Sequence, residues 1–170
     1  TYKTLVSSAK KISEITISKS YDVAICGIGF PKDTNLYQTS RAASYLHYLP
    51  SKVVKSGGYI IIPAKCDEGP GQGIGEQRFF DMLKNESLDQ ILDYKDDFKA
   101  GEQRAFMMAN VLKHCKVIIV GSMDPQIVKD VKMIPVSTMN EAFEFVQKDL
   151  GKNLDVIFIP NALMTLPIIK

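Results

Sequence analysis

Tyr37, Gln38 and Arg41 are the residues of this chain best placed to do chemistry. Spaced three and four apart, they can share one face of a helix. A phenol, an amide and a guanidinium together can receive a carboxylate or a phosphate, the guanidinium gripping it bidentately. The residues before them support a site. Gly27 and Gly29 let the backbone turn tightly, Pro31 fixes the turn, and Asp33, Thr34 and Asn35 are all good N-cap residues. A helix starting there would present free N–H groups and the positive end of its dipole to an anion. The plainer reading is a capped surface helix with an ordinary ion-pairing arginine, and spacing alone leaves both open.

A second glycine-rich stretch, Gly69-Pro70-Gly71-Gln72-Gly73-Ile74-Gly75-Glu76, resembles a phosphate cradle in composition only. Its glycines alternate, so it contains neither a GxGxxG fingerprint nor a GK[ST] ending. The expectation is a mobile loop at the same end of the sheet as Arg41, with Gly71 and Gly73 as possible ligand or domain contacts. The two histidines, His47 in mid-helix and His114 at a helix end, have no carboxylate or cysteine at metal-ligand spacing, and a structural role is expected for each. Asp67 and Glu68 are neighbouring acids in a loop, a pattern usually solvated. No nucleophile, base and orienting group occur together, so no catalytic residue and no metal site are assigned to this chain.

These candidates need elements to position them. Five apolar runs rich in Val and Ile, at Asp22–Cys26, Tyr59–Ala64, Lys116–Val120, Met133–Val136 and Val156–Ile159, alternate with helical patterns. Unbroken apolar strands separated by helices predict an α/β fold: one doubly wound, mostly parallel, Rossmann-like sheet with helices on both faces. In such a sheet ligands bind beyond the carboxyl ends of the strands, where the Gly27–Arg41 segment falls. Residues 1–20 read as an opening helix with Leu5, Ala9, Ile12 and Ile15 on one stripe, and Phe106, Ala109, Val111 and Leu112 mark another helix. Ser137 or Thr138 should cap a helix with Glu141 behind it, Pro125 should open one after Asp124, and Gly151 should close the last.

The bulk properties narrow the function classes. At 170 residues the chain fits a single domain spanning 1–170, and 45% hydrophobic with 24% charged residues is ordinary globular composition. A net charge of +2 without a basic run argues against nucleic acid as a partner. No apolar stretch approaches the roughly 18 residues of a membrane span, and no secretory signal opens the chain. Cys26, Cys66 and Cys115, odd in number and widely spaced, predict buried, reduced thiols in a cytoplasmic protein, with Cys66 the one candidate for reactivity. A chain beginning at Thr1 rather than Met is expected to be either processed or part of a longer protein.

The run GIGFPKDTNLYQTSR resembles the signature of the nickel-dependent lactate racemase family, in its C-terminal domain. There a Gly-Gly-Tyr-Pro-x-Asp-x-Asn-x-Tyr-Gln-x-x-Lys pattern follows the first strand. Lys55–Ile62, the Cys66–Gly69 loop, Met133–Pro135 and Val156–Pro160 have counterparts too, so the likeness covers essentially the whole chain. The resemblance implies the C-terminal domain of a longer two-domain racemase or epimerase acting on 2-hydroxy acids. It implies a nickel-pincer nucleotide accepting and returning a hydride, held mainly by an N-terminal catalytic domain that also supplies the essential histidines. This chain alone would then be inactive and carry no cofactor, and its partners would be that domain and a small 2-hydroxy acid. Tyr37, Gln38 and Arg41 would contact substrate, Asp33 and Gln103 would lie near the pocket, and Arg41 stands where lactate racemases carry a lysine. Arginine adds reach and a planar fork, which hints at a longer or more acidic substrate than lactate. The alternative is a stand-alone α/β module binding a phosphorylated or carboxylated small ligand at the Gly/Pro turn.

Overall fold

Every strand forecast from the Val/Ile runs is present, and all are parallel. The computed structural model describes residues 2–95 and 97–170. After α1 (Tyr2–Ser13) and β1 (Glu14–Ile17) come β2 (Tyr21–Cys26), α2 (Leu36–His47) and β3 (Val54–Pro63). Then follow α3 (Ile74–Asn85), α4 (Leu88–Leu92), α5 (Glu102–His114), β4 (Lys116–Val120), α6 (Pro125–Asp130) and β5 (Ile134–Val136). The chain closes with α7 (Met139–Leu150), β6 (Val156–Ile159) and β7 (Leu166–Ile169). The main sheet has the order β5-β4-β3-β2-β6, and a separate parallel pair joins β1 to β7.

Alternation along the strands sends side chains to two cores. Ala24, Cys26, Ile60, Ile62, Val117 and Ile119 face α2, α3, α5 and α6, whereas Val23, Tyr59, Ile61, Ile118 and Val120 face α7. The split follows from handedness. Right-handed crossovers from β2 through β5 all run one way along the sheet and leave their helices on one face. The chain then returns across the sheet to place β6 beside β2, so its crossover helix α7 lies on the opposite face. The strand order thus reverses between β2 and β6, and the segment of interest emerges from that switch point.

Several caps are as the sequence suggests. Thr138 accepts from the Glu141 N–H, Asp124 accepts from Gln126 with Pro125 first in α6, and Gly151 closes α7 with φ 87°. Three features differ. The opening helix stops at Ser13, and Ile15 belongs to β1. Its apolar stripe is not packed: no residue of α1 is buried, and Leu5 and Ile12 face solvent. His47 is the last residue of α2 rather than mid-helix, because the Tyr48 N–H already closes the C-cap on the Ser44 carbonyl. Among the described residues, no helix is long and apolar enough to cross a membrane.

Candidate functional site

Gly27 is pinned where β2 meets β6. Its N–H donates to the Ile159 carbonyl at 2.9 Å, its own carbonyl accepts from Ala162 at 2.9 Å, and a Cβ would lie 2.2 Å from the Pro160 oxygen. Gly29, with φ 67°, accepts from Lys32 and Asp33 to form the turn, and the Phe30–Pro31 peptide bond is cis. The chain then runs beside the loop after β3: Cys66 N–H donates to the Asp33 carbonyl at 2.9 Å and Glu68 N–H to the Thr34 carbonyl at 2.8 Å. Asn35 is the residue that caps α2, its Oδ1 accepting from the Gln38 N–H at 2.9 Å.

This arrangement corrects one expectation. The first N–H groups of α2 are not free for an anion: Leu36 donates to Gly69 O at 2.9 Å, Tyr37 to Pro70 O at 3.4 Å, Gln38 to Asn35 and Thr39 to the Asn35 carbonyl. A carboxylate already sits there, since Glu68 Oε2 accepts from Thr34 Oγ1 at 3.1 Å and Asn35 Nδ2 at 3.3 Å. The glycine loop is likewise spent on structure. Gly69 and Pro70 cap α2, Gly71 is buried against the Glu76 side chain and accepts from Gln77, and the Gly73 N–H donates to Glu76 at 2.9 Å. Recognition at the first turn of α2 is therefore left to side chains.

Those side chains meet on the side of α2 turned towards α3 and α5. Tyr37 is half-buried, its ring edge-on to Phe79 at 5.4 Å. Gln38 stands between Lys32 Nζ at 3.4 Å and Glu76 Oε1 at 3.5 Å, both at the outer limit of a hydrogen bond, so its amide is only loosely held. The Arg41 guanidinium lies 5.9 Å from the Tyr37 ring centroid and leaves Nε buried with no partner. Asp33 is half-buried, with Oδ1 also buried and unpartnered. Gln103 is exposed in the first turn of α5, and the residue after it is the one that reaches the site. Arg104 extends over Tyr37 at 5.7 Å and Tyr45 at 5.9 Å and donates to Ser44 Oγ at 2.9 Å. The sequence reading passed over Arg104. Its signal was a cation in the first turn of a helix, where the dipole disfavours positive charge.

The remaining candidates are structural. Cys66 is buried with its Sγ 3.8 Å from Thr39 Oγ1, and burial pushes its thiol up to about 11, which removes it as a nucleophile. All three cysteines are free and buried. The fold brings His47 and His114 together, ring centroids 5.1 Å apart, at the amino end of the sheet and away from α2's first turn. His114 Nε2 lies 2.9 Å from the Val54 carbonyl. Burial, with Lys52 and His114 adding to it, lowers the pKa of His47 to about 4.

The comparisons with known proteins bear on the family and the fold. Residues 15–166 match the family described as the lactate racemase C-terminal domain. A lactate racemase of Thermoanaerobacterium thermosaccharolyticum is 30% identical over 159 residues, covering 89% of this chain but 36% of the relative. The chain thus spans about a third of that enzyme's length. The solved structure of the lactate racemase apoprotein from the same organism superposes with a TM-score of 0.82 at 24% identity, covering 98% of this chain and 40% of the other. A protein from Thermotoga maritima gives 0.64 at 16% identity over 99% of this chain and 42% of its own. These two likenesses speak to the fold.

Proposed function

This chain belongs to the lactate racemase C-terminal domain family, and on that premise we propose that it is the substrate-side domain of a 2-hydroxy acid racemase or epimerase. Arg41 carries the reading: a half-buried guanidinium with no carboxylate partner among the described residues, one turn along α2 from Tyr37 and Gln38, at the position where the family signature has lysine. Arg41 would bind the substrate carboxylate bidentately, Gln38 would orient the acid through its loosely held amide, and Tyr37 would wall the pocket.

The nickel-pincer nucleotide implied by the resemblance does not fit these residues. Among the described residues no three His, Cys, Asp or Glu side chains stand together as a metal shell, and the two histidines lie at the far end of the sheet. In the proposed reading the group and its hydride chemistry sit on an N-terminal catalytic domain, for which this α/β domain would supply orientation and charge. Three free, buried thiols suit a reducing compartment such as the cytoplasm. The stand-alone binding module is less well supported, because the amides it would use are occupied.

The test is kinetic. In the enzyme formed with its N-terminal domain, Arg41→Ala should weaken transition-state binding of a 2-hydroxy acid by roughly 2 to 5 kcal/mol, the cost of unpairing a buried carboxylate. Unchanged racemisation kinetics would take Arg41 out of the site.

A further inference from the structure

Arg41 and Arg104 come from different helices yet converge on one ring, 5.9 and 5.7 Å from the Tyr37 centroid. Among the described residues neither forms an ion pair, and each keeps a buried Nε with no acceptor. A hydroxyl, Ser44 Oγ, and a second ring, Tyr45, complete the surroundings of Arg104. Tyrosine faces attract a guanidinium but bring no countercharge. Two half-buried cations sharing an aromatic wall repel one another, and one of them also opposes the dipole of α5. A single substrate carboxylate occupies one fork and leaves the other unmatched.

We propose that Arg104 is a second anion-binding residue of this site, and that the 2-hydroxy acid taken here carries a second anionic group, carboxylate or phosphate, at its distal end. The inference rests on the function proposed above and deepens it. Arg41 takes the carboxylate beside the hydroxyl-bearing carbon, and Arg104 takes the distal group across Tyr37. The ring orders both guanidinium planes while contributing no charge that would compete with the ligand.

Both buried Nε–H groups can be followed by nitrogen-15 NMR in the enzyme formed with its N-terminal domain, the arginines of this chain labelled, during titration with lactate, malate and 3-phosphoglycerate. Malate or 3-phosphoglycerate should shift both arginine signals and bind about tenfold tighter than lactate, roughly one good surface charge contact. Lactate should shift Arg41 alone. Arg104→Gln should collapse the ratio of diacid to monoacid affinity towards one, and Arg104→Lys should restore part of it. A purely structural Arg104 would weaken all acids alike and leave the ratio intact. The proposal is overturned if lactate moves both signals, or if neither doubly charged acid gains over lactate. Those results leave the general function standing. If none of the acids perturbs Arg41, the functional reading itself fails and this inference with it. Malate against 3-phosphoglycerate tells which distal group is preferred.

Discussion

His47 is held neutral by its surroundings: burial first, then the Lys52 ammonium and the neighbouring His114 lower its pKa from 6.5 to about 4. Between those values the unfolded chain binds a proton that the folded chain refuses. Stability is therefore full above pH 6.5 and falls as the pH drops towards 4. Asp22 and Asp155, whose pKa values are lowered chiefly by hydrogen bonds from Lys55 and Lys19, add their own loss only below about pH 4. Urea midpoints at pH 7 and pH 5 should therefore differ in the wild type and differ less in His47→Gln; an equal drop in both would assign the titration elsewhere. At the start of α2, Asn35→Ala should cost about 1 kcal/mol in the same assay. Sequence offered Asp33, Thr34 and Asn35 as equal caps. The choice falls on Asn35 because the carbonyls of the other two pair with Cys66 and Glu68, a contact between loops that local sequence does not encode. Arg104 escaped notice for the same reason, its partner Ser44 lying 60 residues away.

Helices and strands were legible where their signal is local. The central strands β2, β3 and β4 carry the buried apolar runs, and the alternation of apolar runs with helical patterns already implied parallel pairing, although β5 and β6 at the two edges are only partly buried. β1 and β7 gave no such signal: each has four residues, they pair across nearly the whole chain, and Pro167 interrupts the second. The junction of α3 and α5 shows what glycine does at this scale. Gly101 has φ 98°, and a Cβ there would stand 1.8 Å from the Gly75 oxygen, so the two helix starts touch backbone to backbone. Gly101→Ala should lose about 3 kcal/mol of unfolding free energy, through strain and forced separation. Gly29→Ala, with φ 67° but open space around it, should lose only about 1 kcal/mol. Equal losses in denaturant unfolding would mean that α3 and α5 move apart freely. Removing α1, which buries none of its residues, should leave the cooperative unfolding of the main sheet intact.

Over the whole molecule, the distribution of exposed apolar side chains carries the last argument. Phe30, Ile74 and Met123 are 85%, 72% and 73% exposed, and all three follow carboxyl ends of strands or open the next helix at that edge. Exposed apolar groups also lie on α1, at Tyr2, Leu5 and Ile12, but Phe30, Ile74 and Met123 stand at the edge the proposed site occupies, where a second body would cover them. The side chains proposed to grip an acid lie on α2 and α5 near that same edge, and in that reading they form one wall of the site. The lactate racemase relative extends well beyond the matched segment, and the proposed function assigns the opposite wall to such an N-terminal domain. Met123 can report on the contact, because a thioether oxidises in proportion to its exposure. In oxidative footprinting, Met123 should react readily in this chain alone and be protected several-fold in the enzyme that includes an N-terminal domain. Buried Met108 gives the unreactive baseline in both. Equal oxidation of Met123 in the two proteins would mean that this edge stays open to water, and that the catalytic domain approaches from another side of the sheet.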